Sequence, residues 1–146
     1  MIKAIAAEDA WPLRREVLNP TKPPPTAQHP LDIVPDALHL AWFEAGRIVG
    51  VGTISRQALP IEPDAIAWFV RAMAVAPGWR SRGIGGRLLD ALLAHGADHN
   101  PGGIAWCHAR LPAEAFYSRH GFHVLDQVDL PGKGLRLRMR RLLVLA

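Results

Sequence analysis

Apolar and polar positions along the chain switch between a period of two and a helical period, and the switches outline the elements. Residues 2–6 are a short apolar run, which predicts a first strand. Residues 7–18 have helical character. Glu8 and Asp9 lie where the positive end of a helix favours acids, and Pro12 is tolerated near the first turn. Two apolar, β-rich runs at 38–45 and 47–56 meet at Ala45-Gly46, a hairpin signal. Residues 66–75 are almost continuously apolar, broken by Arg71, as a central strand covered on both faces would be. Pro77-Gly78 ends that run. Ile84, Leu88, Leu89, Leu92 and Leu93 recur at helical spacing and predict a helix over about 83–99, which Asn100-Pro-Gly-Gly103 breaks. Residues 104–109 read as a strand, 112–120 as a short helix opening on Pro112, and 122–130 as another strand. Over 135–145, Leu135, Leu137 and Met139 alternate with Arg136, Arg138 and Arg140, so a last strand has one apolar and one basic face.

The order β-α-β-β-β-α-β-α-β-β predicts an α/β (α+β) protein. We expect a mixed, mostly antiparallel sheet of six to seven strands with about four helices. At 146 residues and 49% hydrophobic content the chain makes one domain, 1–146, with a sizeable core. The Pro-rich stretch over 19–37 is too short to separate two domains and reads as a long surface loop.

The formal charge of +4 and pI of about 10.0 raise an anionic partner. The excess is local: Lys133, Arg136, Arg138, Arg140 and Arg141 account for it, and the rest of the chain is slightly acidic. No aromatic residue interleaves with these arginines. They are expected to form the wet face of a strand, not a nucleic-acid-binding arm. The single cysteine, Cys107, excludes an intramolecular disulfide framework and any zinc site built on two cysteines. No apolar run approaches the roughly 20 residues that span a bilayer, and the first residues lack a signal-peptide core. The expectation is a cytoplasmic protein with no membrane partner.

The chemistry concentrates at Val75-Ala-Pro-Gly-Trp-Arg80-Ser-Arg82-Gly83-Ile-Gly85-Gly86-Arg87. A strand ends and a glycine-rich turn opens an amphipathic helix. Helix N-termini leave about four N–H groups unpaired, and glycines let a phosphate reach them. Arg80, Arg82 and Arg87 add positive charge, so the segment suits a phosphate or pyrophosphate. No lysine follows the glycines, as a P-loop requires, and Leu88 stands where a dinucleotide fingerprint needs its third glycine.

Arg80-x-x-Gly83-x-Gly85 after Val75-Ala-Pro77, followed by a short helix ending Phe116-Tyr117-Ser-Arg-His-Gly121-Phe122, resembles the GNAT superfamily of N-acetyltransferases. The element order agrees over essentially the whole chain. Arg71-Ala-Met73-Ala74 and Trp106-Cys-His108-Ala-Arg110 resemble a bacterial subgroup of that superfamily, with His108 where the subgroup has asparagine. The resemblance implies acetyl-CoA as co-substrate, held in a V-shaped split of the sheet. Backbone groups of Met73, Ala74 and Val75 would pair with the pantetheine arm as an added strand does. The amides of Ser81, Arg82, Gly83, Ile84, Gly85, Gly86 and Arg87 would hold the pyrophosphate. It also implies Tyr117 as general acid to the CoA thiolate in a direct transfer, and a backbone N–H of 73–75 for the oxyanion.

The resemblance also implies a primary amine as acceptor, carried by a small molecule or a protein. Its proton needs a base, for which Glu44, His39, Asp32 and His108 are candidates. Arg71 interrupts an apolar strand and needs a partner, either a substrate carboxylate or Asp32. Arg110 lines the site or is solvated. Cys107 reads as a buried small hydrophobe, on the opposite strand face from His108. His95 and His99 have i, i+4 spacing without the glutamate of a metalloprotease; a helix-end role is expected and no metal site. The apolar residues 142–146 either close the core or make a homodimer contact. The competing reading is a catalytically silent CoA-binding or regulatory, nucleic-acid-binding module.

Overall fold

The computed structural model describes residues 1–18, 20 and 29–145. The elements come in the predicted order: β1 (Ile2–Ile5), α1 (Ala7–Leu18), β2 (Leu38–Glu44), β3 (Arg47–Arg56), β4 (Ala67–Val75), α2 (Ile84–His99), β5 (Ile104–Ala109), α3 (Glu114–Arg119), β6 (His123–Leu130) and β7 (Gly134–Leu142). Among the described residues there are three α-helices, where about four helices were expected. Short 3₁₀ turns at Pro30–Ile33, Pro77–Trp79 and Leu111–Ala113 make up the remaining helical backbone. The strands form one seven-stranded sheet in the order β1-β2-β3-β4-β5-β7-β6. Pairs β1–β2, β2–β3, β5–β7 and β6–β7 are antiparallel, and β4–β5 is parallel. Contacts group the chain into two compact units, residues 1–55 with 70–92, and residues 56–69 with 93–146.

In the first unit the β2–β3 hairpin turns on Ala45 and Gly46, with φ of 48° and 77°. Two left-handed residues match the right-handed twist of the strands they join. The two faces of β3 then differ in kind. Val51 packs with Ala41, Ala74, and Ala10 and Leu13 of α1. The intervening Gly50 faces α2: a Cβ built there would lie 2.8 Å from Ile84 Cγ2 and 3.0 Å from Leu88 Cδ1. The first half of α2 lies flat on the sheet because β3 offers no side chain at that point. Leu88, Leu89 and Leu92 are fully buried on this helix, each worth about 1.5–3 kcal/mol relative to exposure. Pro12 lies further into α1 than expected, in its second turn, and the helix continues to Leu18. The missing proline N–H costs one intrahelical bond, to the carbonyl of Glu8.

The second unit has its own core of Leu59, Ala67, Ile104 and Trp106. Phe69 stacks on Trp106 at 4.3 Å between ring centroids. The indoles are anchored: Trp106 Nε1 donates to the Gln57 carbonyl and Trp68 Nε1 to Asn100 Oδ1. On β7, Leu137 and Met139 are buried as the alternation predicts. The basic face is not simply wet. Arg138 makes a two-pronged pair with Asp126, Arg140 does the same with Glu62, and Arg136 Nη1 donates to the carbonyls of Lys133 and Leu135. These three arginines are half-buried. Neighbouring strands and the 57–65 segment supply partners that a single strand's pattern does not reveal. Leu143 is buried and exchanges backbone hydrogen bonds with Gly102 and Gly103, whereas Leu142, Val144 and Leu145 are exposed. No helix among the described residues is long and apolar enough to cross a membrane.

Candidate active site

The backbone of β4 changes character at one residue. Ala72 has a φ of 56°, a left-handed conformation in the middle of a strand. For a residue with a Cβ this costs about 1–2 kcal/mol. The parallel ladder with β5 covers Ala67–Phe69 against Ile104–Trp106 and goes no further. Beyond the bend, Met73, Ala74 and Val75 lie on a stretch of β4 with no described ladder on that edge. Ala74 is buried, while Met73 and Val75 are half-buried. The Val75 carbonyl accepts from Arg80 Nε at 3.1 Å.

The chain after β4 turns through Pro77–Trp79 and then two more left-handed residues, Ser81 (φ 63°) and Gly83 (φ 79°), before α2 begins at Ile84. Gly83 closes the first helical bond by accepting from the Arg87 N–H at 3.1 Å. The amides of Ile84, Gly85 and Gly86 are therefore the ones a helix N-terminus leaves over. Arg87 has its N–H already taken by the Gly83 carbonyl. Its guanidinium lies over the Trp42 ring, 5.6 Å from the centroid, and that of Arg82 over Trp79 at 4.7 Å. With Arg80 folded back onto Val75, all three arginines have a local support. The two tryptophans and the Val75 carbonyl were missed in the sequence because they act as platforms and carry no charge.

His39, Arg71 and Asp32 meet in a buried polar cluster of the first unit. Asp32 accepts from Arg14 Nη1, from Arg71 Nη2 and from Trp11 Nε1. Of the two expected roles for Arg71, the Asp32 pair is the one formed. Arg71 Nε and Ser55 Oγ are buried without a hydrogen-bond partner. Burial alone would raise the Asp32 carboxyl pKa. The hydrogen bonds from Arg14, Arg71 and Trp11, with the Arg14 charge, outweigh it and hold the carboxyl well below the usual range. His39 Nδ1 lies 2.8 Å from Thr53 Oγ1, and its Nε2 3.3 Å from the Asp32 carbonyl. Glu44 accepts from Trp42 Nε1 at 2.9 Å.

Tyr117, His108 and Arg110 belong to the second unit. Tyr117 is buried on α3, with Phe116 and Phe122 edge-on at 5.1 and 5.4 Å. Its hydroxyl makes no hydrogen bond to a described residue. Burial, and then the neighbouring Cys107, push its pKa up, so the phenol keeps its proton. Cys107 is buried and its thiol is pushed up to about 12 by burial. His108 is half-buried on β5, edge-on to Phe69 and Trp106. Arg110 is exposed, and its carbonyl accepts from the Ala113 N–H. The His95 and His99 rings lie 4.3 Å apart, tilted by 45°, and His99 Nδ1 lies 2.9 Å from the His95 carbonyl.

The sequence profile of the Acetyltransferase (GNAT) family matches residues 5–122. The chain belongs to the GNAT acetyltransferase family. A Bacillus subtilis relative, named as the uncharacterized N-acetyltransferase YitI, is 28% identical over 97% of this chain and 95% of its own length. The mycothiol acetyltransferase of Thermobifida fusca is 39% identical over 66% of this chain, which corresponds to 29% of that longer protein. Among solved structures, Escherichia coli ElaA superposes with a TM-score of 0.78 at 16% identity, covering 97% of this chain and 98% of its own. An aminoglycoside 6'-N-acetyltransferase complexed with coenzyme A gives 0.79 at 13% identity, covering 100% and 98%. At those identities the likeness establishes the GNAT fold, which the seven-stranded sheet and its element order share.

Proposed function

We propose that this GNAT protein transfers an acetyl group from acetyl-CoA to a primary amine by direct attack in a ternary complex. The observation that carries the reading is the backbone of 72–86. The described β4–β5 ladder ends at Phe69, the strand bends at Ala72, and the amides of Ile84, Gly85 and Gly86 follow within one turn and a short loop. An extended pantetheine arm suits the open edge of Met73–Val75, since an added strand is held by main-chain bonds that need a free edge. A pyrophosphate suits the leftover helix amides. A backbone N–H of 73–75 would meet the oxyanion of the tetrahedral intermediate.

Tyr117 acts as the general acid in this reading. As the C–S bond breaks, its phenol donates to the CoA sulfur. Its buried, protonated hydroxyl has no described hydrogen bond to give up first. The acceptor is a small-molecule or protein amine. The nucleic-acid reading has no observation in its favour, because Arg138 and Arg140 already have carboxylate partners.

The test is thiol release from acetyl-CoA across a library of alkylamines, amino acids and polyamines. Tyr117→Phe is expected to lower kcat by about 10²–10⁴-fold with unchanged CoA affinity. The lost hydroxyl has no described partner, so the variant should also melt close to the wild type. Equal turnover in the two proteins rejects Tyr117 as the acid.

A further inference from the structure

We propose that His108 is the general base that takes the proton from the acceptor's ammonium group; this rests on the transfer reading above. Four groups were candidates from sequence, and the structure separates them. His39 has both ring nitrogens within hydrogen-bonding distance of Thr53, Arg14 and the Asp32 carbonyl. Asp32 is bound by two arginines, and the hydrogen bonds from Arg14, Arg71 and Trp11 hold its carboxyl well below the usual range against the opposing effect of burial. Glu44 is engaged by Trp42 at the end of the hairpin. His108 alone has two ring nitrogens with no hydrogen bond to any described residue. It is also held in place: its ring centroid lies 5.5 Å from Phe69 and 5.2 Å from Trp106, edge-on to both.

Strand geometry gives His108 a further fitness for the role. Cys107, which neighbours Tyr117, and His108 are successive residues of β5, so their side chains leave opposite faces. The end of the ladder fits the role as well: its last pair is Phe69–Trp106, and His108 lies two residues further along β5. The charges facing His108 come from β7 (Arg138, Arg136), from the turn before it (Lys133) and from β6 (Asp126). Burial first, and then Arg138, Lys133 and Arg136, keep the imidazole neutral against the smaller opposing effect of Asp126. The same cations disfavour an ammonium brought beside them, which eases its deprotonation.

The protons balance. The imidazole takes one proton from the ammonium and passes it to solvent. The amine lone pair forms the C–N bond at the thioester carbon. As the C–S bond breaks, Tyr117 gives its proton to sulfur, and the remaining surplus N–H proton returns to Tyr117 through water. The products are an amide, CoA thiol and one released proton.

The experiment measures kcat against pH for the wild type, His108→Gln and His108→Ala, with the first alkylamine of the library that supports turnover and saturating acetyl-CoA. Both variants are expected to lose about 10²-fold or more in kcat near neutral pH, and the rate should rise monotonically with pH in place of a plateau set by the imidazole. CoA affinity by calorimetry should be unchanged, and added imidazole should restore part of the His108→Ala rate. A merely structural histidine would not give that rescue. Wild-type turnover retained in both variants with the same pH profile overturns the base while leaving the transfer reading intact. No thiol release by the wild type with any amine overturns the transfer reading, and the base with it.

Discussion

Arg71 donates to Asp32 across 39 positions of sequence, from the residue immediately before the left-handed Ala72. The contact ties the 3₁₀ turn at Pro30–Ile33, within the Pro-rich stretch, to the point where β4 bends. Asp32 also accepts from the His29 N–H, so one carboxylate holds both its own turn and the strand. Two guanidiniums converge on it, and its side chain is 2% exposed.

Removing that carboxylate leaves two buried cations with no counter-charge. Asp32→Asn is expected to cost about 3–5 kcal/mol in unfolding free energy, measured by urea denaturation at neutral pH. The pH dependence has a definite sign. The folded carboxyl titrates below the unfolded one, so its contribution is complete above about pH 4 and fades as pH falls toward the folded value. The wild type should therefore lose stability more steeply than Asp32→Asn below about pH 4. Parallel acid limbs in the two proteins would show that the pair contributes nothing on folding.

Ala72 offers a test with the opposite sign. Glycine adopts a positive φ without the Cβ penalty, so Ala72→Gly should be neutral or stabilising by up to about 1 kcal/mol. In an ordinary strand the same change is destabilising. A loss of about 1 kcal/mol by chemical denaturation would mean that residue 72 is extended in solution.

Cys107 should be silent to thiol reagents in the folded chain. It is buried and its thiol is pushed up to about 12, so almost no thiolate is present near neutral pH. One equivalent should react with a chromogenic disulfide in denaturant and essentially none in its absence. Rapid native labelling would contradict the burial of β5.

The course of the fold was legible in the sequence wherever a pattern is local. The spacing of Ile84, Leu88, Leu89 and Leu92 outlined α2, and Ala45-Gly46 gave the hairpin. The glycines of 83–86 gave the start of α2. What escaped depends on distant partners. Nothing in Arg71-Ala-Met73 marks alanine for a left-handed conformation, which surrounding structure imposes. The pairing of Arg138 with Asp126 and Arg140 with Glu62 needs the strand order before it can be read, so β7's basic face looked merely solvated. Phe69 and Arg71, like Trp106 and His108, are spaced by two on their strands. The second spacing signals that the Trp106 and His108 rings share a face, whereas the Phe69 contact needs the β4–β5 register.

The central claim is that the segment from β4 into α2 holds coenzyme A, and calorimetric titration of CoA into the wild type and Gly85→Val tests it most directly. A side chain at Gly85 would stand among the amides left over at the start of α2. The account predicts saturable binding of one CoA per wild-type chain and at least tenfold weaker binding by the variant, about 1.4 kcal/mol. No binding by the wild type, or equal affinity in both proteins, would contradict it.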